Sequence, residues 1–381
     1  MRICIVGGGP AGLYFALLMK QLRAGDDITV LERDGPDDTF GWGIVFSSRT
    51  FGFLADSDPP SHRRIVVSAI TWDDVIVVHR GERVVIGGNR FSGIGRLAFL
   101  RILHDRCRDL GVDLRFHATV AGAEDVPACD LLVGADGANS VVRHFGRDGF
   151  EPSLAHGRNK YIWLGTTRAF DGLTLVFKQH RLGLFIAHAY RFDATRSTFI
   201  VECSDVAWRA AGFDRRSAAD TCALLEEIFA DELGGQPLLT NGFVRWLNFR
   251  LVRNRRWWHD QVVLLGDALH TAHFSIGSGT RLALEDAISL ATAFGEERAI
   301  ATALDRFEHT RRPDVERFQA DAGESLRWFE EADRYLALEP LPFAYRVMTR
   351  SGRVDRERLR HRDSAFVDRV ERWERASGIS S

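Results

Sequence analysis

Within the first 32 residues a strand pattern, a glycine-rich turn, a helix and a second strand follow one another, and no other feature limits the fold so tightly. Residues 2–6 (RICIV) read as a buried strand, Ala11 to Leu22 as a helix, and Asp27 to Glu32 as the next strand. Gly7, Gly9 and Gly12 stand between them in GxGxxG order, with Pro10 and Ala11 inside the motif. Glycines at those positions allow a tight turn and let a pyrophosphate approach the amide donors of the helix N-terminus. Glu32, 20 residues beyond Gly12 and next to Arg33, ends the second strand, where a carboxylate accepts the hydroxyls of a ribose and repels a 2′-phosphate. An adenine dinucleotide is therefore expected, with NAD and FAD both open at this point.

A second glycine loop lies some 250 residues later, in "LLGDALHTAHFSIGSGTRLALEDA" (264–287). Asp267 follows an apolar strand pattern, and Gly277, Ser278 and Gly279 precede a helix expected from about Thr280. A dinucleotide held by the first loop has its far half across the strand ends in this direction. A carboxylate there suits the ribityl hydroxyls of a flavin, and a helix N-terminus suits the electron-rich edge of a reduced isoalloxazine. The two loops are thus expected to hold two ends of one FAD.

The rest of the chain sets the frame. Its 381 residues, 45% apolar and 27% charged, make an ordinary globular composition, and a net charge of −2 provides no global field for nucleic acid or an anionic membrane. Cysteines 4, 107, 129, 203 and 222 never fall in CxxC spacing, so neither structural zinc nor any other metal is expected. No apolar run approaches the roughly 20 residues of a membrane span, and the chain opens directly on a strand pattern, which gives a cytoplasmic expectation. Residues 65–86 and the stretches "LTLVFK", "LGLFIAHAYRF" and "STFIVEC" read as strands of a second layer, with one helix from Ser217 to Leu233. The expected division is an FAD-binding unit of 1–64, 90–157 and 260–300, a substrate-binding sheet of 65–89 and 158–259, and a helical, arginine-rich region of 301–381.

Three ordered motifs, the GxGxxG with Glu32, "DLLVGADGANSVVR" with Asp136, and "LLGDALH…GSG…LEDA", resemble the signatures of class A FAD-dependent aromatic monooxygenases. Within that family the similarity is closer to the monooxygenase half of salicylyl-CoA 5-hydroxylases and anthraniloyl-CoA monooxygenases, and next to the violacein-pathway tryptophan hydroxylase. It rests on "FGWGIVFS" (40–47), "GRNKYIWLGT" (157–166), "FIAHAYRF" (185–192), "STFIVEC" (197–203) and "HFSIGSGT" (273–280). The resemblance implies an α/β fold: a GR2-type, para-hydroxybenzoate-hydroxylase-like FAD domain with an inserted antiparallel β-sheet substrate domain and C-terminal helices. It implies that Trp42, Gly43 and Arg96 contact FAD, Arg96 through the phosphates and ribose. The wider family has proline at Phe274, glutamine at Ser278 and asparagine at Arg281; the nearer subgroup shares Phe274, Ser275 and Ser278. Because the bifunctional relatives continue into a barrel and this chain stops near "RWERASGISS", a standalone hydroxylase is expected.

In this family NAD(P)H, a transient visitor, reduces the flavin, O2 adds at C4a, and the hydroperoxyflavin passes one oxygen to an electron-rich ring. The protein must supply a dry cavity and a group that polarises the ring substituent. Candidates are His188 and His273 as catalytic residues, with Tyr161, Trp163, Phe274 and Ser275 contacting substrate. The competing reading of the aromatics and histidines is ordinary core packing. The expected substrate is a small aromatic acid, as a salicyloyl- or anthraniloyl-type CoA thioester, whose phosphates would meet Arg255 and its neighbours in "RLVRNRRWW". A free tryptophan-like or carrier-bound aromatic is the alternative, and an FAD-binding protein of little activity the second alternative.

Overall fold

The computed structural model describes residues 1–277 and 279–378. Strand β1 (Arg2–Val6) enters the glycine turn, helix α1 (Pro10–Leu22) follows, and β2 (Asp27–Leu31) returns parallel to β1 with Ile5 opposite Val30. Leu131–Gly134 and then Val262–Leu264 extend the sheet in parallel on the other side of β1, and Asp113–Arg115 extends it beyond β2. Ile3, Cys4, Ile5 and Val6 are all buried, as a central parallel strand covered on both faces requires. Helix α1 is buried nearly all round, from Pro10 to Met19, because it lies between that sheet and the helix Gly279–Glu296.

The second layer is a mixed sheet in which Pro152–Thr166, Ser197–Cys203, Gly183–Arg191 and Leu173–His180 pair antiparallel in that order. Val75–His79 joins parallel to Leu173–His180, and Glu82–Ile86 closes the edge through a two-residue turn, Arg80 and Gly81, both at positive φ. The register places Trp163, Ile200, His188 and Leu175 in one row across the strands, and Tyr161, Glu202, Ile186 and Phe177 in a parallel row two residues away. Side chains two apart point to the same face, so both rows share it. The opposite face packs Ile162, Val201, Ala187 and Val176 against Leu225 and Phe229.

The chain after residue 300 covers much of the first face. Phe329 from the helix Ile300–Glu330, with Phe343 and Val347 from Pro340–Thr349, forms one core with Phe177 and Ile186. At about 1.5–3 kcal/mol for each large apolar side chain buried, these contacts make the helices part of the sheet's own structure. The helical region expected as a separate unit therefore shares a core with the sheet. Two expected boundaries fall inside continuous elements: 64/65 within the helix Pro59–Ser68, and 157/158 within the strand Pro152–Thr166. The helix expected over 217–233 is two, Ala218–Ile228 and Ala230–Leu233, with Ser217 as cap of the first. A small third sheet of Gly43–Ser47, Phe91–Gly95 and Ile70–Trp72 joins the layers and was not visible in the pattern.

Candidate active site

At two positions of the first loop, Gly7 and Gly12, only glycine fits. Gly7 sits at φ +109°, and a Cβ on it would lie 2.3 Å from the Ala135 carbonyl oxygen; a Cβ on Gly12 would lie 2.2 Å from that of Gly7. At Gly9 an added Cβ meets nothing within 4 Å, so the space above that residue is open. Helix α1 starts there with Gly9 as a cap lacking a side-chain hydrogen bond and Pro10 in its first turn, which leaves first-turn amides for an outside acceptor. Glu32 holds the loop, accepting hydrogen bonds from the Gly8 amide at 2.6 Å and the Asp34 amide at 2.9 Å. Arg33 pairs with Asp34 at 3.0 Å and is two-thirds exposed; the Asp34 hydrogen bond, with the charges of Asp34, Glu32 and Asp136 nearby, raises its guanidinium.

Asp136 closes the middle motif by accepting from the amides of Val141 at 2.6 Å and Val142 at 3.2 Å, while its buried Oδ1 has no partner among the described residues. Arg143, also buried, donates to the carbonyls of Ala138 and Ala268, both at 2.7 Å, and so ties this motif to the third. In the third motif Asp286, fully buried, accepts from the Gly266 amide at 3.2 Å and from Arg311 Nε at 2.9 Å, with His270 Nε2 also 2.9 Å away. This arrangement fixes the turn that presents Asp267. Asp286 belongs to the LEDA end of the third motif, but nothing in the sequence signals its partner Arg311, because their meeting is a tertiary event between two helices.

Asp267 opens into the cleft yet is ringed by protein, and this crowding raises its carboxyl above the ordinary range against the pull of His270 and Arg96. Burial lowers the Arg96 guanidinium, while Asp267, Tyr190 and Glu32 act in the opposite direction. Its Nε is buried without a partner among the described residues. One arginine thus lies within electrostatic reach of both Glu32 from the first loop and Asp267 from the last, and the two loops come close where a Cβ on Gly266 would lie 3.0 Å from that of Ala11. Open room above Gly9, an unpaired carboxylate oxygen on Asp136 and an unpaired donor on Arg96 are what FAD would fill. Gly43 and Gly279 line the same cleft, as does Gly277 at φ +61°; Ser278 lies outside the described residues. Trp42 does not line it; its ring lies over Gly165 and beside Phe192, with centroids 6.4 Å apart.

The cleft belongs to a cavity of about 1490 Å³ that runs under the sheet face described above. Tyr161, Trp163, Phe249, Phe274 and His188 form its aromatic end. Phe274 stands 4.9 Å from Tyr161 and 5.3 Å from His188 between ring centroids, and Phe329 backs His188 at 4.9 Å. Burial, with Asp267 nearby, pushes the Tyr161 hydroxyl up to about 12, so it stays a neutral donor. The indole N–H of Trp163 is buried with no partner among the described residues.

Behind His188 lies a carboxylate missed in the sequence. His188 Nε2 is 3.2 Å from Glu202 Oε2, and Asn159 Nδ2 donates to Glu202 Oε1 at 2.8 Å. Burial pushes the Glu202 carboxyl up, but the His188 and Asn159 hydrogen bonds and the nearby His273 more than offset this, leaving it below its ordinary value and ionised. With Nε2 engaged, Nδ1 is the nitrogen His188 leaves for a ligand. The pair could have been suspected from alternation, since Glu202 and His188 lie at inward positions of neighbouring strands.

His273 plays a different part from the one expected. It lies behind the cavity lining, with Nδ1 2.8 Å from Ser275 Oγ and accepting from the Ser275 amide at 3.4 Å, so it caps the turn Phe274–Ile276. Its ring packs on Phe274 at 4.1 Å and on Phe249 at 4.9 Å. It is a positioning residue for Phe274. Ser275 does line the cavity, with its hydroxyl 2.8 Å from that of Ser325 and its carbonyl accepting from Arg350 at 2.6 Å. Arg255 is also misplaced by the sequence reading: it lies outside the cavity lining, three-quarters exposed, and pairs with Glu151 at 2.7 Å.

Burial lowers the His273 imidazole to about 4, at 2% exposure. The unfolded chain takes up this proton near the ordinary value of about 6.5, so stability is full above that pH and falls as pH drops toward 4. The interval corresponds to about 3 kcal/mol. A His273→Asn variant, which keeps an acceptor for the Ser275 amide, is expected to show a shallower loss between pH 6.5 and 4 in urea unfolding; an unchanged slope contradicts the assignment. His104, likewise lowered to about 4 chiefly by burial, and His79, also lowered chiefly by burial, add to the slope that remains.

Comparisons with known proteins agree with this geometry. A family model described as "FAD binding domain" matches residues 1–322. A salicyloyl-CoA 5-hydroxylase from Streptomyces sp. is 42% identical over 98% of this chain and 74% of its own length. A 3-hydroxy-4-methyl-anthranilyl-[aryl-carrier protein] 5-monooxygenase from Streptosporangium sibiricum is 38% identical over 86% of this chain and 89% of its own. Among solved structures, 2-methyl-3-hydroxypyridine-5-carboxylic acid oxygenase shares the fold, with a TM-score of 0.73 at 20% identity over 91% of this chain and 95% of that one. The two glycine loops whose carboxylates Arg96 links, and the shared sequence that runs through both, have a common explanation: the chain belongs to the FAD-binding-domain family, as an FAD-dependent aromatic monooxygenase.

Proposed function

We propose that this protein hydroxylates the ring of a 2-hydroxy- or 2-aminobenzoyl thioester in the cytoplasm, with NAD(P)H as transient reductant and O2 as oxygen source. The observation that carries this reading is the continuity of the cavity from the His188 aromatic end, past Asp267, to a mouth rich in arginine. A free aromatic acid needs only the first part. Support comes from two relatives whose names specify an aromatic acyl group carried on CoA or on an aryl-carrier protein.

Bound FAD, reduced by NAD(P)H, supplies the oxygen-transfer chemistry. The chain's own residues prepare the ring. Tyr161, Trp163, Phe249 and Phe274 enclose it in an apolar cage that excludes water. His188 Nδ1 accepts the hydrogen of the ring hydroxyl or amino group, and as that proton shifts toward the imidazole, electron density moves into the ring and favours attack para to the substituent. Glu202 balances the developing imidazolium charge, and Asn159 keeps the carboxylate in place.

The test is a panel of salicyloyl-CoA, anthraniloyl-CoA, free salicylate, free anthranilate and free tryptophan. One or both thioesters are expected to accelerate NAD(P)H oxidation and to yield a product heavier by one oxygen atom, and the free compounds to do neither. Equal turnover of the free acids would sink the thioester reading. Peroxide alone from every compound would favour an FAD-binding protein of little activity.

A further inference from the structure

The mouth of the cavity gathers six arginines from distant parts of the chain. Arg49 begins the helix Ser48–Ser57, Arg90 precedes the strand Phe91–Gly95, and Arg281 lies in the first turn of Gly279–Glu296. Arg353 follows the helix Pro340–Thr349, and Arg358 and Arg362 come from Arg356–Arg362. The acids nearby do not neutralise them. Glu285 takes Arg281 at 2.7 Å but also Arg311 at 2.8 Å, Asp321 is 3.6 Å from Arg353, and Asp355 is 3.9 Å from Arg358. Arg362 bonds to the neutral Asn89 oxygen at 3.1 Å and Arg49 rests on the Phe53 ring at 5.4 Å. Among the described residues Arg49, Arg90 and Arg362 have no acidic partner within 4 Å.

The arginines also crowd one another. Arg353 is lowered first by burial and then by Arg281, Arg362 and Arg49, with Asp321 as the opposing charge. The loop that presents Arg90 is held in costly backbone. Arg90 has φ +50° and Gly88 φ +68°, where a Cβ would lie 2.3 Å from the Arg362 carbonyl oxygen, and the Gly87 amide donates to Asp363 at 2.8 Å. Positive φ at a non-glycine residue is strained and persists only where the surroundings enforce it. Five elements converge on repelling charge at the rim of a cavity in a chain of net charge −2. Such an arrangement is stabilised by an anion with several phosphate oxygens, which guanidinium groups bind in bidentate pairs.

The cavity, shared between the flavin loop and the sheet face, continues as one space from His188 past Asp267 to this arginine rim. We infer that the cluster of Arg49, Arg90, Arg281, Arg353, Arg358 and Arg362 binds the 3′-phosphorylated adenosine diphosphate of an acyl-CoA whose aromatic group lies beside His188. This rests on the thioester reading above. An NAD(P)H adenosine pyrophosphate shares the chemistry, and the experiment separates the two sources.

Wild type and an Arg353→Met/Arg362→Met variant of the holoenzyme are compared with salicyloyl-CoA and salicyloyl-pantetheine, which lacks the phosphates. Wild type is expected to prefer the CoA ester in kcat/KM, and the variant to lose at least tenfold of that preference, with the double lysine variant recovering part of it. Calorimetry with adenosine 3′,5′-bisphosphate is expected to show binding to wild type and loss in the variant. The same compound should compete with salicyloyl-CoA and not with NAD(P)H. An unchanged preference together with unchanged bisphosphate binding overturns the inference, and so does competition with NAD(P)H alone. If wild type turns over neither thioester, the thioester reading fails, while bisphosphate binding and its loss in the variant still decide whether the cluster is a phosphate site.

Discussion

A His188→Gln variant is expected to retain bound FAD and lose about 10²- to 10⁴-fold in kcat for ring hydroxylation, the usual range for removing a positioned acid–base group. The glutamine amide can still donate to Glu202, so the buried carboxylate keeps a partner and the fold is spared the cost of an unpaired charge. It offers no basic nitrogen where Nδ1 stood. The substrate proton then has no acceptor, and the ring is less electron-rich when oxygen is delivered. NAD(P)H oxidation should continue with hydrogen peroxide as its product, so the ratio of hydroxylated product to NAD(P)H consumed is the discriminating readout. Loss of no more than a few-fold in kcat with that ratio intact would show that His188 is a core histidine held by Glu202 and nothing more.

The second large effect lies at the other end of the cofactor. Gly12→Ala is expected to give protein that purifies without flavin, because the new Cβ would stand 2.2 Å from the Gly7 carbonyl oxygen and the turn must open to admit it. Gly9→Ala makes the informative contrast. Its Cβ meets no protein atom within 4 Å, so the apoprotein should melt at the wild-type temperature, but the methyl group projects into the space assigned to FAD and should weaken its binding. The ratio of flavin to protein absorbance, with melting of each apoprotein, separates a broken turn from a blocked site. Full flavin content in both variants would mean that the dinucleotide does not lie over this loop.

The parts of this site that were legible in the sequence are those built from short segments. Gly7, Gly9, Gly12 and Glu32 belong to one strand–turn–helix–strand unit, in which spacing alone fixes geometry. Asp267 was legible for the same reason, as the residue after a strand and before a glycine pair. Sheet alternation put His188 on an apolar strand, but its partner Glu202 lies on the next strand, and pairing order is not written in either segment. The C-terminal helices gave no hint that Phe329 would press on His188 or that Arg353 and Arg362 would reach the cavity mouth, because those contacts join separate elements of the fold. The same limit explains the misplaced assignments of His273 and Arg255. His273 is beside the flavin loop in sequence but turns behind it to cap Ser275, and the arginine-rich "RLVRNRRWW" looked like a phosphate site although Glu151 already holds Arg255.

Most directly decisive is anaerobic reduction of the bound flavin by NADH and by NADPH, with and without salicyloyl-CoA, followed by admission of heavy-isotope dioxygen and weighing of the product. The proposed function predicts faster reduction when the thioester is present and one heavy oxygen atom in its ring. Reduction at the same slow rate in both cases, with peroxide as the sole oxygen product, would contradict it.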